Sequence, residues 1–294
     1  MLKIGTRGSK LALWQAAFTQ AELTRIGVES EVVIIETPND LVSDPQFDEQ
    51  EPKALSNKEI EDALLRGEVD FAVHFMKDLP TVQPEGLCIT AVSGRQNPSD
   101  LLVIRKESYA DKALLKLAPK AIAGASSRLR NAQLLAFRPD VLLKNVQGNV
   151  HRQLEQLRAG DFDTIFLAAS EVIPLGLELS DFEIFELPAR EFVPAPAQGV
   201  LAWQTNRNDT PTRLILKQLH HTNVSACTNM ERRVLQLLGG DYHRALGVYC
   251  ERDAVGNYHA FAACEIAEKM CRTRFSSSTH FGMAEKLVQL LKNQ

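Results

Sequence analysis

The 294-residue chain is short of several things, and each shortage closes off a class of function. It has no run of about 18 apolar residues, so no segment reads as a membrane-spanning helix. It has no basic block and no aromatic-studded basic stripe. Its 33 Lys and Arg face 37 Asp and Glu, a net charge of -4, so it lacks the electrostatic footprint of a nucleic-acid binder. Cysteine is scarce: Cys88, Cys227, Cys250, Cys264 and Cys271 are odd in number and show neither CxxC metal spacing nor a disulfide framework. Three of them sit in strand-like apolar runs, where a free thiol packs as a small hydrophobe. No internal repeat or low-complexity tract is present, and Met1–Gly5 has the pattern of a short strand rather than of a leader. The expectation is a cytoplasmic, reduced, monomeric protein with no metal, no membrane and no nucleic-acid partner. With 45% hydrophobic residues the chain is long and apolar enough for two or three domains.

What is present is an alternation of strands and helices. Lys3–Gly5 leads to Ser9, which can cap a helix carrying Leu11, Trp14 and Phe18 and ending before Gly27. Residues 31–36 read as a strand, 57–66 as a helix closed by Gly67, and 70–74 as a buried strand. Strands at 101–105, 121–124, 141–146 and 163–168 follow, with helices near 126–138 and 149–159 between them. This predicts α/β lobes with mostly parallel sheets. After about residue 212 the order changes to helix first, then strands near 246–252 and 257–264, then a helix near 282–292. That predicts a small α+β domain. The stretch 38–56 is polar, acidic and broken by proline, and reads as a long mobile loop.

Three strand-to-helix transitions share one form: Gly5-Thr6-Arg7-Gly8-Ser9, Gly124-Ala125-Ser126-Ser127 and Gly148-Asn149. Such transitions can aim backbone N–H groups and a positive helix end at a carboxylate or phosphate. A single one more often only caps its helix. Three at the carboxyl ends of parallel strands fit the place where open α/β sheets bind ligands. His74-Phe75-Met76-Lys77-Asp78-Leu79-Pro80 follows a buried strand. Its Lys-Asp pair can bind a carboxylate and stabilise a developing cation, or can be an ordinary surface ion pair of little worth.

The segments TRGSKLALWQA (6–16), HFMKDLP (74–80), GASSRLR (124–130), QGNV (147–150) and PAPAQGV (194–200) occur in an order and spacing that resemble the porphobilinogen deaminase (hydroxymethylbilane synthase) family over nearly the whole chain. The resemblance implies two lobes like those of periplasmic binding proteins, at 1–95 with 194–212 and at 98–189, joined by crossovers near 94–99 and 188–195. A C-terminal α+β domain at 215–294 would carry a cofactor loop. The family condenses four porphobilinogen molecules into hydroxymethylbilane with loss of ammonia, in tetrapyrrole biosynthesis. By resemblance Asp78 stabilises cationic pyrrole intermediates and handles protons, and Lys77, the other member of that catalytic pair, falls at a position that binds acetate and propionate groups. Arg7, Ser9, Ser126, Ser127 and Arg130 bind acetate and propionate groups, joined by Asn149. Lys53 belongs to the active-site loop and Gln198 to the hinge.

The departures from the family pattern carry their own expectation. The family's Gly-Gly-Cys loop, whose cysteine holds a dipyrromethane cofactor by a thioether, reads here Gly239-Gly240-Asp241-Tyr242. A phenol with pKa about 10 is mostly protonated at neutral pH and is a poor substitute for a thiolate. Leu129, Gln147, Gln153 and Pro174 stand at family cationic positions, and Phe75 replaces a serine. Cys227, placed before the first helix of the third domain, and Cys250, placed in a strand, are poor replacement anchors. The cofactor expected for the family is therefore predicted absent and the standard activity impaired. The alternative is a repurposed anion-binding or regulatory protein with a small, porphobilinogen-like ligand. A generic two-lobed solute-binding protein is disfavoured by the missing export signal and by the deaminase-like third domain.

Overall fold

The computed structural model describes residues 1–36, 57–146, 148–239 and 245–293. In chain order the first half holds β1 (Leu2–Thr6), α1 (Lys10–Arg25), β2 (Ser30–Ile34), α2 (Lys58–Arg66), β3 (Phe71–Phe75), β4 (Leu87–Val92), β5 (Asp100–Arg105), β6 (Ile122–Gly124), α3 (Arg128–Phe137) and β7 (Leu142–Lys144). The second half holds α4 (Val150–Ala159), β8 (Thr164–Ala168), α5 (Ala169–Leu175), β9 (Phe182–Leu187), β10 (Leu201–Asn206), α6 (Thr210–Lys217), α7 (Thr222–Leu237), β11 (Leu246–Arg252), β12 (Tyr258–Ile266), β13 (Lys269–Ser277) and α8 (Met283–Lys292). The chain forms two compact units, 1–96 with 199–226 and 97–198 with 227–294, and the division falls within α7.

The first unit is built on a five-stranded sheet in the order β2-β1-β3-β10-β4, with β10 antiparallel to both neighbours. β3 reads Phe-Ala-Val-His-Phe and is buried throughout, the continuous run expected of a strand covered on both faces. α1 packs Ala16 and Leu23 on Ile4, Phe71 and Trp203. Fully buried Trp203 satisfies its indole by donating to Thr19 Oγ1 at 3.0 Å. α2 buries Ile60, Ala63 and Leu64, the i, i+3, i+4 face of an amphipathic helix, and ends where Gly67 takes φ 71°.

The second unit holds a five-stranded sheet in the order β7-β6-β8-β5-β9, in which β5 runs antiparallel to β8 and β9. It also holds the antiparallel sheet β11-β12-β13. The expectation of mostly parallel sheets is thus met with one reversed strand in each α/β sheet. The C-terminal region differs from the expectation in having a third strand. β13 (KMCRTRFSS) is too polar to read as a strand, and the turn before it, Ala267-Glu268, has φ 47° and 63° without the usual glycine or asparagine.

Residues 190–198 are gripped from several sides within this unit. Gln133 exchanges two hydrogen bonds with the Val193 backbone, both at 2.9 Å. Arg272 donates to the Glu191 carbonyl and lies 4.4 Å from the centroid of the Phe137 ring. Val248 N–H donates to the Pro194 carbonyl at 3.0 Å. Gly247 permits this approach, because a Cβ there would lie 2.3 Å from the Val193 oxygen. The fully buried Glu231 accepts from Ala197 N–H at 2.6 Å and from Cys250 N–H at 2.7 Å, satisfying a carboxylate inside the protein.

Candidate functional site

The first unit brings two expected site segments to the carboxyl ends of neighbouring parallel strands, β1 and β3. After β1, Arg7 and Gly8 lead to Ser9, the N-cap of α1, whose Oγ accepts from Ala12 N–H at 3.3 Å. Thr6 Oγ1 donates to the Ala12 carbonyl at 3.1 Å and ties the strand end to the helix start. After β3 the chain makes a single 3₁₀ turn over Met76–Asp78. Met76 and Leu79 are buried and pin the turn, leaving Lys77 and Asp78 half-exposed between them. Met76 N–H donates to the Val200 carbonyl at 2.8 Å, so β10 helps to place the turn. Lys77 Nζ lies 5.5 Å from the centroid of the Phe75 ring, a cation–π contact made by the residue that departs from the family pattern.

His74, next to this turn, is 6% exposed. Burial pulls its pKa from 6.5 down to about 4, and the hydrogen bond to Gln204 and the charge of Asp78 push back. Gln204 Nε2 donates to Gln83 at 2.9 Å and to Glu61 at 3.2 Å. Burial raises the Glu61 pKa above its ordinary value, against the Gln204 hydrogen bond and with the help of Asp62. Because the folded His74 pKa lies below the unfolded one, the unfolded chain takes up a proton first as pH falls. The stability from neutral His74 is complete above pH 6.5 and is lost as pH drops towards about 4. His220, lowered by burial and by His221, acts in the same direction. The denaturation midpoint should therefore fall between pH 7 and 4.5, and the fall should shrink in His74→Asn. Equal falls in both proteins would contradict this reading.

The second unit places two helix N-termini side by side. β6 and β7 are parallel neighbours with Gly124 opposite Lys144. Ser127 caps α3 by accepting from Arg130 N–H at 3.4 Å, and Asn149 caps α4 by accepting from Arg152 N–H at 3.1 Å. Each helix start carries orphan N–H groups and the positive end of its dipole. Ser126 and Asn149 are exposed, and Ser127 is half-buried.

Arg130 and Gln198 meet on a residue that sequence reasoning missed. Asp100, 1% exposed at the start of β5, accepts from Arg130 Nη2 at 2.7 Å and from Gln198 Nε2 at 2.9 Å. Gln198 Nε2 also donates to the Pro98 carbonyl at 2.8 Å. Burial works against the Arg130 charge, but Asp100, with help from Glu171, raises its pKa overall. The sequence signal was available: an acid opening the otherwise apolar run DLLVIR requires a partner once buried.

The described positions that the sequence reading expected to be cationic in the family hold groups committed elsewhere. Leu129 is 8% exposed and packs inward from α3. Arg128, one place earlier, is paired with Glu265 of β12 at 3.1 Å. Gln153 Nε2 donates to the Gly148 carbonyl at 2.7 Å and closes the first turn of α4. Pro174 is buried inside α5. Lys53, Gln147 and Tyr242 lie outside the described residues, as does the whole 38–56 segment.

The cysteines occupy regular elements. Cys88 lies in β4 beside the hydroxyls of Thr90 and Thr205, each 3.6 Å away. Cys227 lies within α7 rather than before it, because that helix begins at Thr222, where His221 Nδ1 accepts from Val224 N–H at 3.4 Å. Cys250, Cys264 and Cys271 lie in β11, β12 and β13. All but Cys88 are buried. Four of the five are therefore in strands, one more than expected, the addition coming with β13. Among the described residues no His, Cys, Asp and Glu cluster could hold a metal, and no helix is long and apolar enough to cross a membrane.

A family model described as porphobilinogen deaminase, dipyromethane cofactor binding domain, matches residues 2–213. The chain belongs to the porphobilinogen deaminase family. Curated relatives agree. A porphobilinogen deaminase of Syntrophomonas wolfei is 39% identical over 243 residues, covering 81% of this chain and 77% of that one. One of Chlorobaculum parvum is 37% identical, covering 84% and 78%. A probable porphobilinogen deaminase of Methanocella arvoryzae is 38% identical, covering 85% and 80%. Among solved structures, the periplasmic VFT2 domain of Bordetella pertussis BvgS has a TM-score of 0.44 at 15% identity, covering 74% of this chain and 86% of that one.

Proposed function

We propose that this family member is a divergent hydroxymethylbilane synthase-type protein of tetrapyrrole biosynthesis. It binds a porphobilinogen-like, carboxylate-bearing ligand but carries no covalent dipyrromethane and forms hydroxymethylbilane very slowly or not at all. In this reading it is a cytoplasmic monomer with lobes at 1–95 with 194–212 and at 98–189 and a third domain at 215–294. The helix starts at Ser9, Ser127 and Asn149 receive carboxylates, with Arg7, Lys53, Ser126 and Arg130 adding donors and Gln198 at the hinge. Asp78 faces the developing cation, and Lys77 beside it holds a carboxylate.

The observation that carries the impaired activity is the placement of the thiols. Segment 238–247 contains none, and the residues present do not fit a thioether-held cofactor. Cys227, Cys250, Cys264 and Cys271 are enclosed in a helix and in strands, where a bulky adduct would have to displace packed neighbours. A repurposed anion-binding or regulatory role is the second reading, favoured by helix ends that are kept while the anchor is not. The assay is conversion of porphobilinogen to hydroxymethylbilane, read as porphyrin after oxidation. Even three of the four lost charge-assisted contacts, at roughly 1.5–3 kcal/mol each, correspond to at least about a thousandfold loss against an ordinary family member. Comparable turnover would overturn the proposal.

A further inference from the structure

The C-terminal sheet sets two thiols directly opposite one another. β12 and β13 are joined by the two-residue turn Ala267-Glu268, and the register from that turn runs Ile266 opposite Lys269, Glu265 opposite Met270, and Cys264 opposite Cys271. Both turn residues have left-handed φ, the conformation that matches the twist of paired strands and fixes their register. Directly opposed residues project to the same face of a sheet. For this pair it is the buried face, with Cys264 at 0% and Cys271 at 7% exposed.

The hydrogen-bond pattern defines the kind of pair. Glu265 donates its N–H to the Ala245 carbonyl, on the β11 side, at 2.9 Å. The residue before it, Cys264, therefore turns its N–H and C=O towards β13. Cys264 and Cys271 form a hydrogen-bonded pair, whose Cα atoms stand about 5.5 Å apart, within the span a disulfide bridges. The Cβ atoms of such a pair stand about 5 Å apart, wider than the roughly 3.8 Å that a relaxed disulfide prefers. A bond here would draw the strands together, hold strain and be readily reduced.

We propose that Cys264 and Cys271 are a reversible dithiol site for a peroxide-class oxidant, closing to a cross-strand disulfide within the β12–β13 hairpin. In the first step one thiol sulfur attacks the peroxide oxygen, the O–O bond breaks, a sulfenic acid forms and one water leaves. In the second step the other thiol displaces that hydroxyl as a second water and the S–S bond forms. The two sulfurs give up two electrons and the hydrogen peroxide takes them. β13 is the outermost strand of its sheet, so local fraying of this edge gives a molecule scarcely larger than water a way in. Cys250 lies on the same face of β11 but is opposite Ala260, four positions along β12 from Cys264, and has no thiol across from it.

Peptide mapping of the full-length protein tests this without relying on any variant. Cleavage after Arg244, Arg252, Lys269 and Arg272 puts Cys250, Cys264 and Cys271 on three separate tryptic peptides. After treatment with hydrogen peroxide and blocking of free thiols, the peptides 253–269 and 270–272 should travel as one species. Its mass should equal their sum less two hydrogens, and dithiothreitol should separate them. Cys250→Ser should leave this species unchanged, and Cys264→Ser should abolish it. Oxygen atoms added to either cysteine alone, a link from either to Cys250, or both peptides recovered separately with blocked thiols would each overturn the proposal.

Discussion

Replacing Asp100 by alanine should cost the second unit about 3 kcal/mol of stability, the low end of what breaking a buried ion pair costs. The carboxylate is 1% exposed and holds two donors at once, Arg130 at 2.7 Å and Gln198 at 2.9 Å. Without it the guanidinium keeps its charge in a largely enclosed place, and Gln198 loses one of two acceptors. The Arg130 side chain retains 21% exposure, so water partly compensates and the upper end of the range is not reached. Asp100→Asn, which keeps an acceptor oxygen but no charge, should lose less. Urea unfolding followed by circular dichroism measures both. A loss under about 1 kcal/mol for the alanine variant would mean that the pair does not organise β5, α3 and the residues before Gly199.

Restoring the anchor alone should not restore the family's activity. Tyr242→Cys, or Asp241→Cys at the place that directly follows Gly239-Gly240, supplies a thiol in a segment that has none, and a thiol is the group the family uses in that loop. The carboxylates of the cofactor and the growing chain would still lack their counter-ions. Leu129 is packed, Gln153 closes a helix turn and Pro174 is buried, so none of these positions can be recruited by a change of rotamer. Each missing charge-assisted contact is worth roughly 1.5–3 kcal/mol. Either variant should stay below about one-thousandth of an ordinary family member's rate, and porphobilinogen titration should show saturation at raised concentration. Full recovery in either variant would place the whole defect in the anchor and remove the argument from lost cations.

Much of the fold was legible because it follows from local chemistry. Ser9, Ser127 and Asn149 each cap the helix the sequence assigned to them. Gly67 closes α2 with left-handed φ as the pattern required. The buried run before Lys77 is a strand, as its continuous apolarity implied. What was not legible depends on long-range pairing. The reversed directions of β5 and β10 leave no trace in side-chain periodicity, which is the same for either direction. β13 was missed because Lys269, Arg272, Thr273, Arg274, Ser276 and Ser277 make it polar on both faces and its turn lacks glycine. The turn that carries the candidate residues Lys77 and Asp78 could be found from its motif. The dependence of Arg130 and Gln198 on Asp100 spans 30 and 98 residues of sequence and only folding reveals it. The same is true of Glu231, which sits in a helix pattern as an ordinary charged residue yet is fully enclosed between Ala197 and Cys250.

The most direct test of the central claim is the intact mass of the purified, wild-type, full-length protein, measured after incubation with porphobilinogen and denaturation. A dipyrromethane held by a thioether survives denaturation and adds a discrete mass. The account predicts one species at the mass of the unmodified polypeptide, with no ladder of further pyrrole units. A stable adduct in most molecules would contradict it, and the peptide bearing that adduct would name the side chain that has taken over the anchoring role.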